Sequence, residues 1–125
     1  MKLVKVFILI GFLVFSFGTG WAADFNAMLT KAKTEKKVVM LELGSVGCVP
    51  CDQMRPVMDK LTQNYKGKLE VIFVDVRKNT EPARHFRVFG IPTQVFLDSD
   101  GKEFHRHIGY YDYDSIVPVL KKAGI

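Results

Sequence analysis

The chain has 125 residues, enough for one domain and too few for two. Hydrophobic residues make up 48 % and charged residues 25 %, which excludes a disordered or low-complexity chain. The formal charge of +5 falls to +3 without Lys2 and Lys5 (sixteen basic against thirteen acidic residues), and the basic pairs Lys36-Lys37, Arg77-Lys78 and Lys121-Lys122 are scattered, so nucleic acid is not an expected partner.

Residues 1–22 read as a targeting segment ahead of a domain at 23–125. Lys2 and Lys5 precede an uncharged run from Val6 to Phe17, and Gly20-x-Ala22 suits a signal peptidase cut after Ala22. The uncharged stretch from Val6 to Ala23 is also near the lower end of membrane-spanning length, about 17–25 residues, so an uncleaved anchor is the competing reading. Both export the domain. The shortness of the leader points to a bacterial periplasm, with the domain soluble after cleavage or tethered to the inner membrane. No cysteine follows the run, so a lipoprotein is not expected.

Asp24 is positioned to cap a helix carrying Phe25, Met28, Leu29 and Ala32 at i, i+3, i+4 and i+7. Val38–Leu43 reads as a buried strand with Glu42 near its end. A loop, Gly44-Ser45-Val46-Gly47, leads to Cys48-Val49-Pro50-Cys51. Beyond it Met54, Val57, Met58, Leu61 and Tyr65 form a helical stripe that Pro56 should kink and Lys66-Gly67-Lys68 ends. Leu69–Asp75 is a second apolar strand, so strand, helix and strand predict a right-handed crossover and a parallel pair. Asn79 or Thr80 caps a short helix through Arg87, with Pro82 in its first turn. Thr93–Asp98, the turn Asp98-Ser99-Asp100-Gly101 and Lys102–Ile108 predict an antiparallel hairpin. Asp114 is expected to cap a last helix that starts no earlier and turns Ile116, Val117 and Leu120 inward. The order is α-β-α-β-α-β-β-α, an α/β three-layer sandwich with a central mixed sheet.

Cys48 and Cys51 are the only cysteines, and they sit where a strand ends and a helix begins. A thiol at a helix N-terminus faces unpaired N–H groups and the positive end of the helix dipole, which stabilise the attacking thiolate. Residues three apart share a helix face, as an exchanging dithiol requires. A structural disulfide and a metal-ligating pair are the alternatives. A bridge closing so small a loop is a poor staple, and two ligands make an incomplete metal site.

The chain resembles the thioredoxin superfamily over essentially all of residues 24–125. The resemblance rests on Cys48-Val49-Pro50-Cys51 opening a helix, on Pro56 within it, on Gly90-Ile91-Pro92-Thr93, on Gly109 after the hairpin, and on Glu42 six residues before Cys48. Departures are Gly47 where thioredoxins carry Trp, Val49 where they carry Gly, and Phe73 where they carry a Lys near the buried acid. The resemblance implies a thioredoxin fold and an exported bacterial thiol–disulfide oxidoreductase. In it Cys48 attacks, Cys51 resolves, and Glu42 takes the proton from Cys51. Pro92 is implied to be cis and, with Ile91, Val49 and Pro50, to meet the substrate. Neither a cofactor nor a resident metal is expected. The implied partners are protein or peptide disulfides and a membrane thiol reductant, and the implied state is a monomer. The alternative function is a metal-carrying or peptide-binding module without redox turnover.

His105 and His107 alternate on one strand and read as exposed edge positions, and His85 as a surface helix residue. Phe73, Phe86, Phe89, Phe96 and Phe104 are expected in the core or at its margin. Tyr110, Tyr111 and Tyr113 are expected to pack on the surface or face substrate.

Overall fold

The structure is a computed structural model that describes residues 20–125, with side chains from residue 24 onward. The positively charged start and most of the apolar run read as a signal or anchor lie outside the described residues. Among the described residues no helix is long and apolar enough to cross a membrane. The elements are α1 (Gly20–Thr34), β1 (Val38–Gly44), α2 (Val49–Asn64), β2 (Leu69–Asp75), α3 (Glu81–His85), β3 (Thr93–Leu97), β4 (Glu103–Ile108) and α4 (Tyr113–Lys122).

The sheet has the order β2-β1-β3-β4. β1 pairs in parallel with β2, and antiparallel with β3, which in turn runs antiparallel to β4. The long return from β2 through α3 thus inserts β3 between β1 and the hairpin partner β4, and both β1 and β3 are buried along their whole length. Successive side chains on these strands point to opposite faces, so the core divides in two. Val38, Met40 and Phe96 meet Met54, Val57 and Leu61 of α2 and Ile116, Val119 and Leu120 of α4. Val39, Leu41, Leu43, Val95 and Leu97 meet Ala32 of α1 and Phe86 beside α3, with Phe25 and Leu29 packed at the margin. The fold is a thioredoxin fold: a mixed sheet between two helical layers.

Several boundaries differ from the sequence reading. α1 begins at Gly20, so Asp24 lies inside it and does not cap it, since a cap has to precede the first helical residue. α3 stops at His85, because Arg87 takes a left-handed φ of 52°. α4 starts before Asp114. Its cap is Asp112, whose Oδ1 accepts from the Ser115 N–H at 2.9 Å and whose Oδ2 accepts from the Ser115 hydroxyl at 2.7 Å. With that start Val119, not Val117, joins Ile116 and Leu120 in the core. α2 runs through Pro56, whose ring is exposed.

Two aromatic expectations also change. Phe96 is fully buried and Phe86 nearly so, but Phe89 is 93 % exposed and Phe73 and Phe104 are on the surface. Phe89 lies in the loop before Pro92, which leaves its ring without a packing partner from the sheet. His105 and His107 are not exposed edge residues: both are half-buried beneath Tyr111. The His107 and Tyr111 rings stack with centroids 3.9 Å apart, and His105 Nε2 lies 3.2 Å from the Tyr111 hydroxyl. Burial, with His107 and Lys122 nearby, lowers the pKa of His105. Tyr113 is tied to α2 by Asn64, whose amide donates to its hydroxyl at 2.9 Å, and by Lys60 over its ring.

Phe96→Ala is expected to destabilise the domain by about 3–5 kcal/mol, the range for truncating a buried phenylalanine. Ile108→Ala, on the exposed edge of β4, is expected to stay within about 0.5 kcal/mol. Urea unfolding at neutral pH measures both.

Candidate active site

The site is built at the C-terminal end of β1. Cys48 is the N-cap residue of α2, and its carbonyl accepts the Asp52 N–H at 2.8 Å. Val49 and Pro50 are the first two helical residues and Cys51 the third. The proline ring suits the first turn, where its missing N–H is not needed. Cys48 and Cys51 are joined as a disulfide, with their Cα atoms 5.2 Å apart. They are not equivalent: Cys48 is half-buried at the helix tip, whereas Cys51 is only 2 % exposed. Val49 between them is 70 % exposed.

The loop before Cys48 is held from β2. The Val76 N–H donates to the Gly44 carbonyl at 2.9 Å, and Asp75 accepts from the Val46 N–H at 3.4 Å and from the Arg77 N–H at 3.0 Å. Gly47 then turns with φ of 79°, a backbone that favours glycine. Gly44 has another constraint. A Cβ there would lie 3.3 Å from Cys51 Sγ, Cys51 Cβ and the Phe73 ring alike. The absent side chain lets α2 and Phe73 close over the end of β1. Beside them Ser45, Val46, Asp52, Arg55 and Phe73 line a surface groove that reaches Cys51.

Pro92 comes to the same place through strand register. Leu43 pairs with Thr93 across β1 and β3, so the next step sets Pro92 beside Gly44. The Ile91–Pro92 peptide is cis. Pro92 is buried and Ile91 half-buried. The segment is pinned on both sides: the Gly109 N–H donates to the Pro92 carbonyl at 2.8 Å, and the Thr93 hydroxyl to the Gly90 carbonyl at 2.6 Å.

Glu42 is two residues before Gly44 and therefore faces α2 as Gly44 does. It is fully buried, and neither carboxyl oxygen has a hydrogen-bond partner among the described residues. Burial pushes its pKa up to about 7. Its neighbours across the sheet are Phe73 on one side and Gln94 on the other. The Gln94 amide pulls in the opposite direction, favouring the carboxylate, but its Nε2 donates to the Gly109 carbonyl at 3.1 Å. Burial therefore decides the balance.

The thioredoxin family model matches residues 19–122. The chain belongs to the thioredoxin family. It is 29 % identical to a Staphylococcus aureus thioredoxin over 100 residues, covering 80 % of this chain and 90 % of the relative. Among solved structures it is similar to the germline-specific thioredoxin Deadhead of Drosophila melanogaster, with a TM-score of 0.72 and 25 % identity over 81 % of this chain and 92 % of that one. A thioredoxin of Nicotiana alata, at 24 % identity, has the same fold, with a TM-score of 0.71 over 82 % of this chain and 86 % of that one. The family and the bonded Cys48–Cys51 pair make the chain a thiol–disulfide oxidoreductase acting on protein disulfides.

The structure thus brings Cys48, Cys51, Val49, Pro50, Pro92 and Glu42 to one end of the sheet from three separate stretches. Two members of the cluster do not stand out in the sequence. Gly44 reads only as a loop glycine, although its spacing from Glu42 puts both on one face. Gln94 reads as a polar position in an alternating strand, with no sign that both faces of β3 are covered. Among the described residues no group of three or more His, Cys, Asp or Glu side chains is placed to hold a metal ion.

A carboxyl raised from about 4.5 to about 7 leaves a signature in stability. Between those values folded Glu42 holds a proton that the unfolded chain has released. Its contribution is therefore fully present below the ordinary carboxyl range and is lost as pH rises through about 7. Glu42→Gln removes this titration. From about pH 5 to about pH 8, unfolding free energy is expected to fall by on the order of 3 kcal/mol more in the parent protein than in Glu42→Gln. Urea titrations of the oxidised proteins measure it; equal slopes would remove burial of the carboxylate as a determinant.

Proposed function

We propose that this protein is an exported, monomeric protein-disulfide reductase that works in a bacterial periplasm and is recharged by a membrane thiol carrier. The observation that carries the chemistry is the unequal pair: Cys48 at the tip of α2 and Cys51 buried one turn in, with Glu42 buried on the face of β1 that meets α2. Export is supported by Lys2 and Lys5, the apolar run that follows, and Gly20-x-Ala22.

The cycle starts from the dithiol. The Cys48 thiolate, stabilised by the free N–H groups of the first turn of α2, attacks one sulfur of a substrate disulfide and expels the other as a thiolate. Cys48 is then joined to the substrate. Cys51 gives its proton to the Glu42 carboxylate and attacks the Cys48 sulfur, and the second substrate sulfur leaves as a thiolate that takes a proton from water. Two electrons have passed to the substrate, and the Cys48–Cys51 disulfide remains. A carboxyl that titrates near neutrality suits both taking and returning that proton. The cis Pro92 segment presents an extended edge beside the cysteines, and exposed Val49 adds apolar contact.

The direction follows from the first turn of the helix. Pro50 removes one N–H that would otherwise stabilise the thiolate, which disfavours the dithiol and lowers the potential. Gly47 leaves the tip open to water, which has the opposite effect. The expected potential lies between those of thioredoxin, ~−270 mV, and protein disulfide isomerase, ~−180 mV. Equilibration with glutathione and thiol counting measures it; a value near ~−120 mV would make the protein a disulfide donor.

Cys51→Ser is expected to accumulate mixed disulfides between Cys48 and its substrates in cells, and Cys48→Ser to accumulate none. Non-reducing gels read this directly. Stoichiometric metal on the pair without turnover would replace the reductase reading with the metal-carrier one.

A further inference from the structure

Glu42 and Gln94 stand opposite each other on adjacent central strands, and both are 0 % exposed. Three of their side-chain oxygens, both of Glu42 and Oε1 of Gln94, have no hydrogen-bond partner among the described residues. Buried polar atoms without partners cost free energy in the folded state, so an arrangement that leaves three of them side by side calls for a role. Among the described residues the only bond Gln94 makes through its side chain goes elsewhere, from Nε2 to the Gly109 carbonyl at 3.1 Å. The Gly109 N–H in turn donates to the Pro92 carbonyl at 2.8 Å. The buried carboxyl thus stands across from an amide that is itself bonded, through Gly109, to the cis-proline segment.

We propose that Gln94 is a positioning residue that couples the protonation of Glu42 to the Pro92–Gly109 segment. The proposal rests on reading Glu42 as the proton acceptor of the dithiol. An amide has one acceptor and two N–H donors, so it can serve either form of the acid. When Glu42 is neutral, its O–H donates to Gln94 Oε1, and Nε2 keeps its bond to Gly109. When Glu42 is ionised, it accepts, and only Nε2 can serve it. The nitrogen that holds the Gly109 carbonyl must then turn its second N–H to the carboxylate, which draws it away from Gly109. The segment that meets the substrate is held most firmly after Glu42 has taken the proton of Cys51, which is when the mixed disulfide is resolved.

Among the described residues no other group on this face is placed to do the same. Phe73, the neighbour of Glu42 on β2, is apolar. Cys51 packs on Gly44, two residues beyond Glu42 on the same face of β1, and in the proposed cycle is the proton's source. His107 is the next residue along the row, paired with Gln94 on β4, but its Nε2 lies 3.1 Å from the Tyr110 carbonyl and its ring is stacked on Tyr111. His105 is engaged with the Tyr111 hydroxyl. On α2, Asp52 and Arg55 are exposed and paired with each other at 3.4 Å, and Asp59 is exposed. On α4, Asp114, Lys121 and Lys122 point to solvent.

The test is an NMR titration of the oxidised protein without substrate, following the Glu42 carboxyl carbon, the Gln94 side-chain amide and the Gly109 backbone amide. In the parent protein all three signals are expected to titrate with one midpoint. In Gln94→Met, which keeps the length of the side chain and removes its hydrogen bonds, the Glu42 midpoint is expected to rise. The size expected is roughly tenfold in proton affinity, as for one lost hydrogen bond to a charged group. The midpoint of the pH–rate profile for disulfide reduction is expected to rise with it, and Gln94→Met is expected to leave that profile unmoved in a Glu42→Gln background. Gln94 and Gly109 signals that stay flat through the Glu42 titration would overturn the proposal, even if Gln94→Met does not fold. So would an unchanged Glu42 midpoint in a folded Gln94→Met. Neither result touches the trapping of substrates by Cys48, so failure here is distinct from failure of the reductase reading.

Discussion

Strand β1 is covered on both faces, and that confinement governs the chemistry at its end. One face meets α2 and α4 and the other α1 and α3, with β2 and β3 completing its hydrogen bonds on either side. A carboxyl in such a strand has no water to ionise into. Neutral Glu42 is the form that burial favours, and ionising it costs more here than at the surface. The site therefore holds a proton-binding group that works near neutral pH, placed by the same packing that stabilises the fold.

The same packing fixes the cysteines. Gly44 has to lack a side chain for α2 to lie as close as it does. That closeness buries Cys51 and leaves Cys48 at the helix tip, where unpaired N–H groups gather. In the proposed cycle that difference in exposure sets the order of attack, with Cys48 the more accessible sulfur and Cys51 behind it. The register of β3 against β1 then brings Pro92 alongside. None of these three segments forms the site alone.

The opposite edge of the sheet is organised differently. β4 has one neighbour strand, and Tyr111 covers its two histidines by stacking. The polar row Glu42–Gln94–His107 thus passes from fully buried to partly exposed across three strands. In the proposed coupling the Gln94 amide, with one acceptor and two donors, serves the buried carboxyl in either protonation state.

Much of this was legible in the residues themselves. The strand–loop–helix context of Cys48 and Cys51 and the eight elements in order follow from periodicity, turn residues and spacing, all of which are local properties of the chain; the thioredoxin fold was implied by the family resemblance. Glu42 stood out as a lone acid in an apolar run. The Asp112 cap did not, since Asp112 and Asp114 are equivalent by residue type and only the position of Ser115 separates them. Phe89 looked like core because hydrophobicity says what a residue prefers and not whether a surface is there to receive it. Gln94 did not stand out, because alternation in a strand reports one covered face. The insertion of β3 beside β1 covers the second, and strand order is a long-range choice that no local pattern encodes. Only that choice turns an ordinary glutamine into the partner of a buried acid.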